Sequence, residues 1–151
     1  MATYNKFEVF IADVFGGVHD LLGTTPGTDS EQCDIYLSNT TPDAGADEVK
    51  TDLAEIATGN GYSGPVAIPS QSGSESTGTF TFSGDEITIT ASGGAISTFQ
   101  YVVMFNDGTS VKTDPLIAWW DNGSTVDLAD GESFTWQPSG QASGGTIFTA
   151  S

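Results

Sequence analysis

The stretch TGTFTFSGDEITITASGGAISTFQYVVMF, residues 77–105, decides the fold class of this chain. It contains three short runs rich in β-branched and aromatic residues, at 77–82, 86–91 and 98–105, and turn-forming residues separate them. Such runs are typical of β-strands, and glycine, serine and aspartate between them are typical of hairpin turns. The stretch therefore predicts antiparallel strands joined by short connections.

The same pattern extends to both sides of this stretch. Residues 33–38, CDIYLS, alternate apolar and polar side chains and predict one more strand. Further strands are predicted at 65–68, 116–120, 125–128, 133–137 and 146–150. Eight or nine strands at this spacing predict a mainly β fold, an antiparallel β-sandwich, with a jelly roll as one form of it.

Two segments show the period of an amphipathic helix instead. Residues 5–22 and 47–58 both carry apolar side chains at spacings of three and four. In the first, Gly16 and Gly17 weaken the helix, and the alternation of Phe7 with its neighbours leaves a strand as the alternative. We expect an N-terminal helix and one short inserted helix in a single domain of residues 1–151. Residues 1–24 then form a helical segment that packs on the sandwich or on a neighbouring subunit.

The charge of the chain is strongly one-sided. Twenty acidic residues face three lysines, Lys6, Lys50 and Lys112, and there is no arginine, which gives a formal net charge of −17. Nucleic acids and anionic membranes both need a cationic surface, so neither is an expected partner. The acidic surface favours a partner with a basic surface, through contacts that salt weakens.

Candidate catalytic residues are few. His19 is the only histidine and Cys33 the only cysteine, and neither lies in a glycine-rich elbow of the kind found in hydrolases. Acidic residues are too numerous to single out a catalytic pair, although Asp121 follows two tryptophans. We therefore predict a protein that is not an enzyme, with no catalytic residues and no cofactor.

Three acidic loops suggest calcium as the only metal to consider. They contain Asp107-Gly108, Asp121-Asn122-Gly123 and the segment 127–130, but none matches a complete calcium-binding loop. Aspartate and asparagine are also common in ordinary β-turns. No metal site is predicted.

The pair Trp119-Trp120 is the clearest candidate for a binding surface. Successive residues of a strand point to opposite faces, so only one of the two rings enters a given core. The other ring anchors a protein interface, stacks on a sugar, or is covered by the N-terminal helix. Together with the apolar stripe of that helix, this pair defines the candidate interface: Phe7, Phe10, Val14, Trp119 and Trp120.

Three stretches of the chain carry a family resemblance. They are MATYNKFEVFIADVFGGVHDLL at residues 1–22, EIATGNGYSG at 55–64, and the run from ASGGAISTFQYVVMF to DPLIAWWDNGSTVDLADGESFTW, 91–136. Together they cover most of the chain and resemble small virion structural proteins of tailed bacteriophages. None of these stretches is a catalytic motif.

The resemblance implies a capsid decoration or cement protein that binds and stabilises the head shell. The expected partners are the major capsid protein or other virion proteins, and further copies of the chain in a dimer or trimer. The expected location is the virion, after synthesis in the host bacterial cytoplasm. A tail or neck component and a carbohydrate-binding or host-adhesion module are the alternatives.

Overall fold

The computed structural model describes residues 3–22, 31–108, 111–138 and 140–151. In these residues the chain forms one α-helix, α1 (Val9–Phe15), and ten strands. The strands are β1 (Thr3–Lys6), β2 (Cys33–Ser38), β3 (Val66–Ala67), β4 (Ser72–Ser76), β5 (Thr79–Gly84), β6 (Ile87–Thr90), β7 (Ile96–Asn106), β8 (Leu116–Leu128), β9 (Ser133–Trp136) and β10 (Gly145–Ala150). The predicted mainly β, antiparallel sandwich is confirmed.

The largest sheet has five antiparallel strands in the order β1-β8-β7-β2-β3. Its two faces are both covered, so all six residues of β2 are buried. Ile35 and Leu37 face the larger core, whereas Tyr36 between them joins a smaller core on the opposite face. The alternation along β2 therefore separates two cores rather than a core from solvent.

The larger core lies between this sheet and two smaller ones, β10-β5-β4 and β6-β9. Aromatic rings fill it: Trp120 of β8 meets Trp136 of β9 edge to face at 5.0 Å, and Phe82 stacks on Phe148 at 5.4 Å. Edge-to-face and offset stacked contacts are the favoured geometries for such rings. This core holds the sandwich together.

The N-terminal segment differs from the predicted helix over 5–22. Residues 3–6 form β1, which pairs with β8, and α1 is only seven residues long. Gly17, with a φ of +73°, ends the helix, because its N–H and that of Val18 turn back to the carbonyls of Val14 and Asp13. This is the Schellman arrangement, in which a glycine takes the left-handed position.

The prediction of a helix over 47–58 is wrong. Only a 3₁₀ turn at Lys50–Asp52 forms there. The backbone of this segment bonds to strands instead: Ile56 donates to the carbonyl of Leu37, and Leu116 donates to that of Glu48. Tertiary contacts override the local helical period because they satisfy the same backbone groups.

Two strand predictions also change. The runs 116–120 and 125–128 belong to one strand, β8. The acidic loop between them lies where the pairing of β8 with β7 shifts register, and Gly123 there has a φ of +78°. The polar strand β4 was not predicted, because its sequence SGSES lacks the apolar alternation. It pairs with β5 through a tight turn at Thr77 and Gly78, both with positive φ.

Candidate functional site: an apolar groove beside the N-terminal helix

A groove of about 630 Å³ separates α1 and the following residues 18–22 from the small sheet of β4, β5 and β10. We call it the α1 groove. Its lining consists mainly of apolar side chains from the N-terminal segment and from the two strands beside it: Phe10, Ile11, Val14, Phe15, Leu21, Leu22, Phe80 and Phe148, together with His19, Asp20, Glu75, Gly78, Ala150 and Ser151.

The floor of the α1 groove is an aromatic cluster centred on Phe148 of β10. Phe10 of α1 meets the Phe148 ring edge to face at 5.6 Å, and Phe80 of β5 lies 6.0 Å from it. Phe10 and Phe148 are both buried in the larger core. The helix therefore packs on the sandwich through its buried face, and this aromatic cluster forms the base of the groove.

Gly73 of β4 allows the N-terminal segment to approach the small sheet. A Cβ atom added at this position would lie 1.5 Å from the carbonyl oxygen of Leu21. No side chain fits in that space, so only glycine permits the backbone at Leu21 to lie against β4. The contact places Leu21, which lines the α1 groove, directly against β4.

The rim of the α1 groove carries apolar side chains in contact with water. Phe15 is 88% exposed, Leu22 is 53% exposed, and Val14 and Ile11 are about 40% exposed. Phe15 is the last residue of α1, so the glycine-terminated helix end presents its ring outward. These four side chains together form an exposed apolar patch, and patches of this kind are typical of binding surfaces.

The charged side chains in the lining, Asp20 and Glu75, are both acidic. Lys112 pairs with Asp13 of α1 at 3.0 Å and with Glu48 at 3.3 Å. Lys50 pairs with Glu55 at 2.7 Å elsewhere on the chain. The groove thus combines an apolar interior with negative charge.

His19 lines the groove as a neutral ring. Burial, partly opposed by nearby carboxylates, lowers its pKa to about 4. Its Nδ1 lies 3.0 Å from the Asn106 side-chain nitrogen, which also donates to Glu31. Because the amide donates, Nδ1 is the acceptor and the ring proton resides on Nε2. His19 therefore adds no positive charge to the groove near neutral pH.

Cys33 does not have the properties of an activated nucleophile. Its side chain is fully buried in β2, and burial raises the pKa of the thiol well above its usual range. The thiolate is the reactive form, so this environment keeps the sulfur unreactive. His19 is engaged with Asn106, and no described contact joins it to Cys33.

The five predicted interface residues have different positions. Phe7, Phe10 and Trp120 are buried within the chain, so they support the fold rather than an outer surface. Trp119 is half-buried and packs against Phe7 at 4.5 Å, on the sheet face opposite Trp120. Only Val14 is exposed, and it lines the α1 groove.

Sequence reasoning missed Phe15 and Leu22, which have the largest exposed fractions among the apolar side chains of the groove. Both belonged to the apolar stripe of the predicted helix, but their exposure depends on where the helix ends. The double glycine after Phe15 was the available signal, since glycines at such a position end helices.

Carboxylates of the acidic loops accept hydrogen bonds from backbone N–H groups. Asp121 Oδ1 accepts hydrogen bonds from the backbone N–H of Gly123 at 2.7 Å and from the side chain of Gln100 at 2.9 Å. Asp130 likewise accepts from the N–H of Gly93 at 2.8 Å. Among the residues that the structure describes, no three acidic, histidine or cysteine side chains cluster as metal ligands.

A second depression, of about 400 Å³, lies beside Trp120, Phe134 and Trp136. A sugar platform requires an exposed flat ring, but the two tryptophans are only 2% and 3% exposed. This depression therefore exposes almost no tryptophan surface on which a sugar could stack.

Comparisons of the chain with protein-family models, curated proteins and solved structures find no significant match. Within the described ranges, no helix has the length and apolar character needed to cross a membrane.

Proposed function

We propose that this chain is a bacteriophage virion structural protein of the capsid decoration or cement type, which binds the head shell and stabilises it. The observation that carries the proposal is the α1 groove with Phe15 exposed at its rim. The resemblance of the three sequence stretches to phage virion proteins supports the choice of particle.

The exposed rim has the composition of a protein-binding surface. Fully burying a phenylalanine side chain contributes about 1.5–3 kcal/mol, and aromatic anchors carry a large part of many interfaces. Phe15, Leu22 and Val14 lie on one groove and present a connected anchor of this kind. A protein whose role is attachment needs such a surface and no reactive groups.

The predicted dimer or trimer stays a prediction, which light scattering of the purified chain tests. The tail or neck alternative is separated from the shell by copy number. Quantitative mass spectrometry of purified particles should find hundreds of copies per particle for a shell protein. Six or twelve copies would place the chain in the tail or neck.

The binding surface is tested by adding the purified chain to particles that lack it. Phe15→Ser should reduce co-sedimentation with particles about tenfold or more, since loss of an aromatic anchor costs about 2 kcal/mol. Val111→Ser is the matched control, because Val111 is 68% exposed but does not line the groove. Absence of the chain from purified particles, or equal binding by both variants, would contradict the proposal.

A further inference from the structure

Exposed apolar surface is concentrated at the α1 groove. In the described part of the chain, six large hydrophobic side chains are exposed, and four of them line this groove: Ile11, Val14, Phe15 and Leu22. A small molecule held between α1 and β10 would leave most of the Phe15 ring in water, because that ring is 88% exposed. Covering both the groove and the ring requires a larger, polypeptide surface.

The negative charge at the groove indicates which kind of polypeptide binds there. Asp20 and Glu75 are exposed at its lining, and the described lining contains no lysine. Glu75 is held in place, since its Oε1 accepts the N–H of Gly78 at 2.7 Å. Opposite charges placed across an interface guide association and exclude wrong partners. A partner segment with cationic side chains beside its apolar ones matches this arrangement.

A second copy of the chain does not match it. Each copy carries a net charge of −17, and two grooves brought face to face would oppose their Asp20 and Glu75 carboxylates. Lys50 and Lys112 are already engaged in ion pairs within the chain. An anionic membrane is repelled by the same charge.

We infer that the α1 groove binds a basic, amphipathic segment of a partner polypeptide, with apolar side chains in the groove and lysine or arginine side chains at Asp20 and Glu75. This inference rests on the proposed function, because it names the chemistry of the partner surface. It assigns the interface to the groove rather than to the tryptophan pair.

The test uses the full chain and a synthetic amphipathic peptide of leucine and lysine, with a leucine–glutamate peptide as the charge-reversed probe. Titration calorimetry should show binding of the leucine–lysine peptide only. Phe15→Ser should weaken this binding about tenfold or more at all salt concentrations. The double variant Asp20→Asn with Glu75→Gln should weaken it about tenfold at low salt and little at high salt, because salt screens the contribution it removes.

Two control variants separate the groove from general attraction to an acidic protein. Val111→Ser removes exposed apolar surface outside the groove, and Asp127→Asn removes an exposed charge outside it. Both should bind the peptide like the unmodified chain. If Phe15→Ser binds equally well, the attraction is non-specific and the inference fails.

Other outcomes identify a different occupant and also overturn the inference. These are self-association that Phe15→Ser abolishes, or equal binding to anionic lipid vesicles. The inference and the proposed function fail separately. Groove-dependent peptide binding by a chain that is absent from particles would refute only the proposed function. Particle binding that depends on Phe15, without peptide binding, would refute only the basic-segment assignment.

Discussion

Replacing Asp34 by asparagine should stabilise the protein near neutral pH. Asp34 lies in β2 and is 8% exposed, and its Oδ1 is buried without a hydrogen-bond partner. Burial, together with the negative charges of Asp107 and Asp114, raises the pKa of this carboxyl to about 6. The folded protein therefore favours the protonated form, and ionisation of Asp34 above that pH opposes folding.

The magnitude follows from the size of the shift. The pKa rises from 3.8 to about 6 on folding, and each pKa unit corresponds to about 1.4 kcal/mol, so the full cost approaches about 3 kcal/mol. Asp107 is exposed, and water around it screens part of this cost. We expect Asp34→Asn to raise the free energy of unfolding by about 1–2 kcal/mol at pH 7.

The pH dependence of this contribution to stability is opposite to that of a paired carboxylate. Because the folded pKa is higher, the contribution of Asp34 favours folding fully below about pH 3.8 and is lost as the pH rises to about 6. The stability difference between Asp34→Asn and the unmodified chain should therefore be small at pH 4 and reach its full value above pH 6. His19 titrates in both proteins, so its effect cancels in the difference.

Urea unfolding followed by tryptophan fluorescence, at pH 4, 5, 6 and 7, measures this difference. Asp127→Asn is the control, since it removes the same charge from an exposed position of β8. It should change the free energy of unfolding at pH 7 by less than Asp34→Asn does. A variant at Asp34 that is less stable at pH 7, or a gain that does not change with pH, would refute the reasoning.

Three further predictions concern Gly73, Cys33 and His19. Gly73→Ala should lower the free energy of unfolding by about 2 kcal/mol or more in thermal melts, because the new Cβ would overlap the Leu21 carbonyl; an unchanged melting temperature would contradict that contact. Cys33 should not react with a soluble disulfide reagent in the native protein and should react fully in urea; rapid native labelling would show that the thiol is accessible. Burial lowers the pKa of His19 to about 4 in the folded protein, so its contribution to stability is complete above about pH 6.5 and is lost as the pH falls towards 4. After solvent screening, we expect this loss to be about 1–2 kcal/mol of the free energy of unfolding. Urea unfolding curves of His19→Gln should lack this loss.

Local sequence periods identified most strands, because a strand's alternation depends on its own backbone. The segment 33–38 forms β2 within the bounds that its pattern predicts, and the two rings of Trp119 and Trp120 lie on opposite faces of β8 as a period of two requires. The mainly β, antiparallel character of the chain was therefore readable from the residues alone.

The same reasoning failed for the helix predicted over 47–58. Leu53 and Ile56 have helical spacing, yet Leu53 fills the smaller core and Ile56 the larger one. The backbone of this segment forms a hydrogen bond with β2, which is distant in sequence: the N–H of Ile56 donates to the carbonyl of Leu37. No local pattern carries that information, since the stabilising partner lies elsewhere in the chain.

By itself, the sequence determined the strand-rich composition, the net charge of −17 and the glycines that interrupt the N-terminal stripe. Only the tertiary structure decided which apolar side chains remain in water. Phe7 and Phe15 belong to one apolar stripe, but Phe7 is fully buried against Trp119 and Phe15 is 88% exposed. Burial depends on which distant strands cover a residue, and the α1 groove exists because β4 and β10 meet residues 10–22 after the chain has folded.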